Sequence, residues 1–216
     1  MNNYERTAVY IDSLDTGNTE YLDEIEKYAL ETKVPIIRRP VQNLLKVLLS
    51  MYKPKNILEV GTAIGFSAIL MAEYSEKDCH ITTIEKYEKR FPLAENNFKK
   101  SGYSERITFI KDDADNVLSE MERENKQFDF IFMDAAKGQY INFLDRVKAI
   151  LSKGGVLVSD NALQDDELIQ SKYAVTRRNR TIHNRMREYL FALTHDDELI
   201  TTILPIGDGV TISVKK

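Results

Sequence analysis

The sequence contains a single cysteine, Cys79, so no disulfide can close within the chain. Lying beside an apolar run, Cys79 reads as a buried, inert thiol. Histidine is scarce: His80, His183 and His195 show no ligand spacing. Zinc, which takes nitrogen and sulfur donors, is therefore disfavoured. No apolar run approaches the ~18 residues that cross a bilayer. The N-terminal stretch MNNYERTAVYIDSLD lacks a basic start followed by an apolar core. The expectation is a soluble, cytoplasmic protein with no membrane partner. Repeats, low-complexity stretches and Gly/Ser linkers are missing too, which points to one domain over residues 1–216. Neither charge sign dominates, with 30 Lys and Arg against 34 Asp and Glu and a net charge of −4. Any nucleic-acid contact then needs a local basic patch.

What is present is a 43% hydrophobic chain with a clear order of elements. The first 50 residues read as helical. In YLDEIEKYALE the apolar residues Leu22, Ile25, Tyr28 and Ala29 recur with a period near 3.6. A second helix is expected from about Pro40 through VQNLLKVLLSMY, since proline suits a first turn. Residues 1–52 thus form an N-terminal helical segment. Strands are then expected at 56–61, 80–85, 106–112, 128–134 and 156–161. Helices should lie between them, the last running through YINFLDRVKAILSKGG to a glycine stop. Strand–helix alternation predicts a parallel sheet covered on both faces. The end of the chain breaks the alternation. A helix near 183–194 leads into two strands joined by IGDG, a terminal hairpin.

In such a sheet, ligands gather at the carboxyl ends of the strands. The first strand runs out through Glu59, Gly61, Gly65 and Ser67. The glycines permit a tight turn and close approach of a ligand, although a ligand-free turn has the same look. Glu85, at the end of the second strand, could accept both hydroxyls of a ribose. Asp113 and Ala114 follow the third strand, where helix capping by Asp113 or Asp112 explains the local pattern equally well. The fourth strand ends on Asp134, with Lys137 three residues on, and the fifth on Asp160-Asn161. Two carboxylates and an amide oxygen on one sheet edge suit a hard divalent cation such as Mg²⁺. An ion pair between Asp134 and Lys137 is the plainer alternative.

These stretches resemble a known family. EVGTAIGFSA, IEKYEKR, DAAKGQY, VLVSDN and LPIGDGVTISVK are similar to the metal-dependent class I O-methyltransferases. That family comprises the catechol and caffeoyl-CoA O-methyltransferases and their bacterial relatives. The resemblance covers the chain from about residue 30 onward. It implies an α/β Rossmann-like methyltransferase fold, with a mostly parallel seven-stranded sheet and a terminal antiparallel hairpin. It also implies S-adenosylmethionine as cofactor, bound by Ile37, Glu59, Gly61, Gly65, Ser67, Glu85, Asp113, Ala114 and Asp134. The N-terminal segment would close over that site. Asp134, Asp160 and Asn161 would ligate Mg²⁺, and Lys137 would be the general base. A homodimer is implied as well. Asp112 stands where the family commonly has glycine.

The acceptor needs two adjacent oxygens. A catechol offers them, and so does 5-hydroxyuridine, whose hydroxyl lies beside a carbonyl. One bacterial branch of the family methylates 5-hydroxyuridine at the tRNA wobble position, and the VPI segment at 34–36 resembles that branch. Residues 172–187, KYAVTRRNRTIHNRMR, form the one basic stretch, with Arg177, Arg178, Arg180, Arg185 and Arg187 as candidate tRNA contacts. A solvated helix face or a dimer contact accounts for the same residues. The sequence reading therefore favours tRNA as substrate, with a small catechol-type molecule as the alternative.

Overall fold

Alternating apolar residues build the sheet, and the helices cover what the alternation presents. The computed structural model describes residues 3–163, 167–169, 171, 175–177 and 179–216. Its strands are β1 (Asn56–Val60), β2 (His80–Glu85), β3 (Ile107–Lys111), β4 (Phe128–Met133), β5 (Leu151–Ser159), β6 (Leu199–Leu204) and β7 (Val210–Lys215). They form one sheet in the order β3-β2-β1-β4-β5-β7-β6. β1 to β5 run parallel, and β7 is antiparallel to both β5 and β6. The strand order reverses beside β1, which has β2 on one flank and β4 on the other. Ligand crevices open at such a switch.

Successive strand side chains point to opposite faces. Ile57, Phe130, Phe132, Val156 and Val158 pack on one face with α2 (Glu20–Thr32), α3 (Arg39–Tyr52), α4 (Phe66–Tyr74) and α5 (Phe91–Ser101). Leu58, Val60, Ile131, Met133 and Leu157 pack on the other with α6 (Ala114–Arg123), α7 (Tyr140–Ile150) and α8 (Arg180–Thr194). Three of the helices have boundary chemistry to match. Pro40 sits in the first turn of α3, Gly102 closes α5 in the left-handed region, and Asp113 caps α6 by accepting from Asp115 N at 3.0 Å.

Three boundaries differ from the sequence expectation. A further helix, α1 (Asn3–Asp12), precedes the two expected, and its side chains from Arg6 to Asp12 are exposed. α7 stops at Ile150 instead of continuing to Gly155. Leu151 already pairs with Phe128, and the register then shifts so that Val156 faces Phe130. Apolar Leu151 gains more from sheet burial than from a helix end leading into two glycines. α8 starts at Arg180, a turn earlier than expected. No helix among the described residues is long and apolar enough to cross a membrane.

Candidate active site

The carboxyl ends of β1 to β5 surround a cavity of about 850 Å³. Backbone hydrogen bonds carry the sheet ladder one step beyond the strands. Gly61 N and Thr62 N both donate to Ile84 O at 3.0 Å, Asp134 N to Val60 O at 2.9 Å, and Asp160 N to Met133 O at 3.0 Å. The loops therefore leave the sheet together, and their side chains share one edge.

At one end of the cavity stands Glu85. Its Oε1 accepts from Lys86 N at 3.0 Å and Tyr87 N at 2.9 Å, while Oε2 accepts from Ala63 N at 2.9 Å and Arg90 at 3.4 Å. A carboxylate held by four donors has a set direction. Asp113 lies nearby and pairs with Lys86 at 3.1 Å. The Asp115 amide in particular holds the Asp113 carboxyl below its ordinary range.

The other end carries the acid pair. Asn161 N donates to Asp160 Oδ1 at 2.7 Å, and Asn161 Nδ2 donates to Asp134 Oδ1 at 3.0 Å. Asn161 adopts the left-handed region, φ 58°, which asparagine tolerates better than most residues. The loop behind it is braced by the hairpin tip, through Ala162 N to Gly209 O and Leu163 N to Asp208 O, both 2.8 Å. Burial pushes Asp134 and Asp160 above the carboxylate range, and their mutual repulsion adds to the shift on Asp160. The Lys137 charge acts on both in the opposite direction.

The structure thus brings Gly61, Glu85, Asp113, Ala114, Asp134, Lys137 and Asn161 onto one cavity wall. Asp160 is buried just behind Asn161. Ile37, Glu59, Gly65 and Ser67 stand behind the lining rather than in it. Ile37 is buried, with its carbonyl accepting from Gln42 Nε2 at 2.9 Å, and it is Pro35 that reaches the cavity. Glu59 is fully buried, and burial raises it to about 7 against the hydroxyls of Ser67 and Thr83. Thr83 donates to Glu59 and shares a 2.5 Å hydrogen bond with Thr62 in the glycine turn.

The basic stretch looks different from its composition. Arg180 Nε donates to Val175 O at 3.3 Å, Arg185 Nη1 to Gly138 O at 2.9 Å, and Arg187 Nη1 to Leu168 O at 3.1 Å. Among the described arginines of the stretch, Arg177 and Arg187 are exposed and Arg180 and Arg185 half-buried, while Arg178, Lys172 and Tyr173 lie outside the described residues. One important residue went unassigned in the sequence. The buried Tyr140 hydroxyl donates to Met133 O and Asp160 O, both at 3.1 Å, tying the ends of β4 and β5 together. Its place three residues after Lys137 gave no sign of that direction.

A Rossmann-like α/β sheet with an antiparallel finish and a strand-end cavity defines the methyltransferase class of folds. The match to the O-methyltransferase family model spans residues 12–216, and the chain belongs to that family. Among curated proteins, the caffeoyl-CoA O-methyltransferase of Medicago sativa is 31% identical over 172 residues, 78% of this chain and 70% of its own length. The tapetum-specific methyltransferase 1 of Arabidopsis thaliana is 30% identical over 169 residues, 78% of this chain and 72% of its own. A Staphylococcus aureus crystal structure, provisionally assigned as a caffeoyl-CoA O-methyltransferase, is 30% identical with a TM-score of 0.87. The match covers 96% of this chain and 98% of that one. The Bacillus cereus O-methyltransferase, solved in complex with SAH, shares the fold at 22% identity, TM-score 0.85, with 98% and 97% covered.

Proposed function

We propose that the protein transfers a methyl group from S-adenosylmethionine to one of two adjacent oxygens on a small catechol-type acceptor, assisted by a divalent cation. The observation that carries this reading is the shared wall: Glu85 at one end of a single cavity, and Asp134, Asn161 and Lys137 at the other.

The residues fit both a nucleoside cofactor and a divalent cation. Glu85 is a carboxylate of set direction whose longest contact, Arg90 at 3.4 Å, would give way to ribose hydroxyls, and Gly61 and Ala63 line the cavity beside it. Asp134 and Asp160 are two carboxyls crowded together at this end of the site, which disfavours charging both, and a cation relieves that. Asn161 uses its amide nitrogen on Asp134, which leaves its amide oxygen as a third hard donor. Among the described residues no three His, Cys, Asp or Glu side chains form a metal cluster, so the amide has to complete the set. When bound, S-adenosylmethionine supplies an activated methyl, and the cation makes a coordinated hydroxyl more acidic.

The chain's own groups do the rest. Asp134, Asp160 and Asn161 hold the acceptor's end of the site. Lys137, in its neutral amine form, receives the proton of the hydroxyl to be methylated on Nζ and becomes an ammonium. Val60, Ile84, Ala135 and Phe143 give the cavity apolar walls that limit water. Alignment of the reacting atoms supplies much of the acceleration.

The caffeoyl-CoA O-methyltransferase from Medicago sativa supports a small acceptor, and the arginines would then meet an anionic substituent of it. A second reading, methylation of 5-hydroxyuridine in tRNA, is favoured by the exposed Arg177 and Arg187 in the one basic stretch. Three of the described arginines already donate to main-chain carbonyls, which weighs toward the small acceptor. The test offers both acceptors in parallel with S-adenosylmethionine and Mg²⁺, and reads products by mass spectrometry. Methylated catechol with no methoxyuridine supports the first reading. Methoxyuridine formation that falls steeply with salt supports the second, because phosphate contacts are salt-sensitive.

A further inference from the structure

Lys137 stands on a 3-10 turn, Lys137–Gln139, a kind of turn with poor hydrogen-bond geometry and little stability of its own. Gly138 lies inside it. A β-carbon on Gly138 would meet nothing nearer than 3.8 Å, so no steric demand explains the glycine, which loosens the backbone next to Lys137. The segment is anchored at both ends. Asp134 N bonds Val60 O at one end, and the Tyr140 hydroxyl bonds Met133 O and Asp160 O at the other.

Between these anchors, α8 supplies the hold. The half-buried Arg185 donates from Nη1 to the Gly138 carbonyl at 2.9 Å. One turn along the same helix, buried Tyr189 packs edge-on against Tyr140, with ring centroids 5.3 Å apart, and bonds the Ser159 hydroxyl at 2.6 Å. Residues four apart share a helix face. One face of α8 therefore grips the Lys137 turn, the start of α7 and the end of β5.

We propose that Arg185 is a positioning residue for the transfer reaction: its hold on the Gly138 carbonyl sets where Lys137 Nζ stands in the cavity. This rests on the reading of Lys137 as proton acceptor. It also moves Arg185 from the substrate-binding set to the catalytic support. A guanidinium bonded to a main-chain carbonyl beside the cavity fixes backbone, whereas a phosphate contact calls for a guanidinium facing solvent.

The experiment compares Arg185→Met, which keeps the stem and removes the donor, with Arg185→Lys, Lys137→Ala and the Lys137→Ala/Arg185→Met double variant. The acceptor is whichever of catechol and 5-hydroxyuridine tRNA is methylated by the wild-type protein. Arg185→Met is expected to lower kcat by roughly 10- to 100-fold, the scale of a misplaced catalytic group. Acceptor KM and S-adenosylmethionine affinity should stay within about twofold, and Arg185→Lys should fall between Met and wild type. In the Lys137→Ala background the Met substitution should add less than about a twofold loss, because both act through one group. Should Arg185→Met fail to fold, Arg185→Gln carries the same expectations. An effect on KM alone, or the same loss with and without Lys137, overturns the proposal. Loss of turnover in Lys137→Ala with full turnover in Arg185→Met overturns it alone. Full turnover in Lys137→Ala removes the base reading and this proposal together.

Discussion

Gly61 and Asp134 meet backbone to backbone: a β-carbon on Gly61 would stand 2.1 Å from the Asp134 carbonyl oxygen. Val60 and Met133 are paired in register, so the two loops part from adjacent strands and separate only beyond this contact. The glycine turn after β1 and the residue that opens the acid pair are therefore one packed unit.

Gly61→Ala is expected to destabilise the fold and to abolish cofactor binding. The site has φ +111°, closed to other residues at a cost of about 1–3 kcal/mol, and the clash is with main chain that cannot swing away. Gly138→Ala is the control for stability, because its β-carbon has space; a change within about 0.5 kcal/mol is expected. Urea denaturation of both variants checks the contrast, and equal losses would contradict it.

Glu59 gives a pH signature. Its folded value is raised to about 7 by burial, above the ordinary 4.5. The folded state then binds more protons between those values, so this group's contribution falls as pH rises from about 4.5 through 7 and stays lost above. Glu59→Gln removes this titration and also the repulsion by which Glu59 helps raise Asp134, and both changes act in the same direction. The stability of Glu59→Gln relative to wild type should increase from pH 5 to pH 8, by on the order of 3 kcal/mol. A difference that does not change with pH would show that Glu59 is not held in this way.

Divalent cations should stabilise the protein through the acid pair. Mg²⁺ in excess is expected to raise the Tm of the wild type, since a ligand that binds only the folded state adds stability. Asp160→Ala should lose that response, and Asn161→Ala should weaken it. A cation-dependent shift that survives in Asp160→Ala would place the ion elsewhere.

Much of this site was legible before the structure. NILEVG, HITTIE and FDFIFMD announce themselves as strands by apolar content and by the glycine or carboxylate that ends them. In a parallel sheet those ends lie on one edge, so Glu85, Asp134, Asp160 and Asn161 could be placed together without coordinates. What was not legible depends on tertiary direction. The basic letters of 177–187 do not show that Arg185 reaches Gly138. Nothing local reveals that Tyr140 ties two strand ends, or that Ile37 faces the core while Pro35 faces the cavity. The end of α7 was missed because AILSK continues the helical pattern while Leu151 is claimed by the sheet.

The arginines divide by exposure. With a small neutral acceptor, Arg177→Ala and Arg187→Ala should leave kcat/KM within about twofold, and added salt should change it little, because exposed charges are screened and contact nothing that reacts. A steep salt dependence with loss in both variants would move the substrate toward nucleic acid.

The central claim is transfer to one of two adjacent oxygens at the Asp134–Asp160–Asn161 corner. The direct measurement is methylation of catechol against phenol, with S-adenosylmethionine, in Mg²⁺ and again with EDTA. The account predicts methylated catechol in Mg²⁺, little product from phenol, and loss of activity with EDTA. Equal methylation of phenol, or full activity in EDTA, would contradict it.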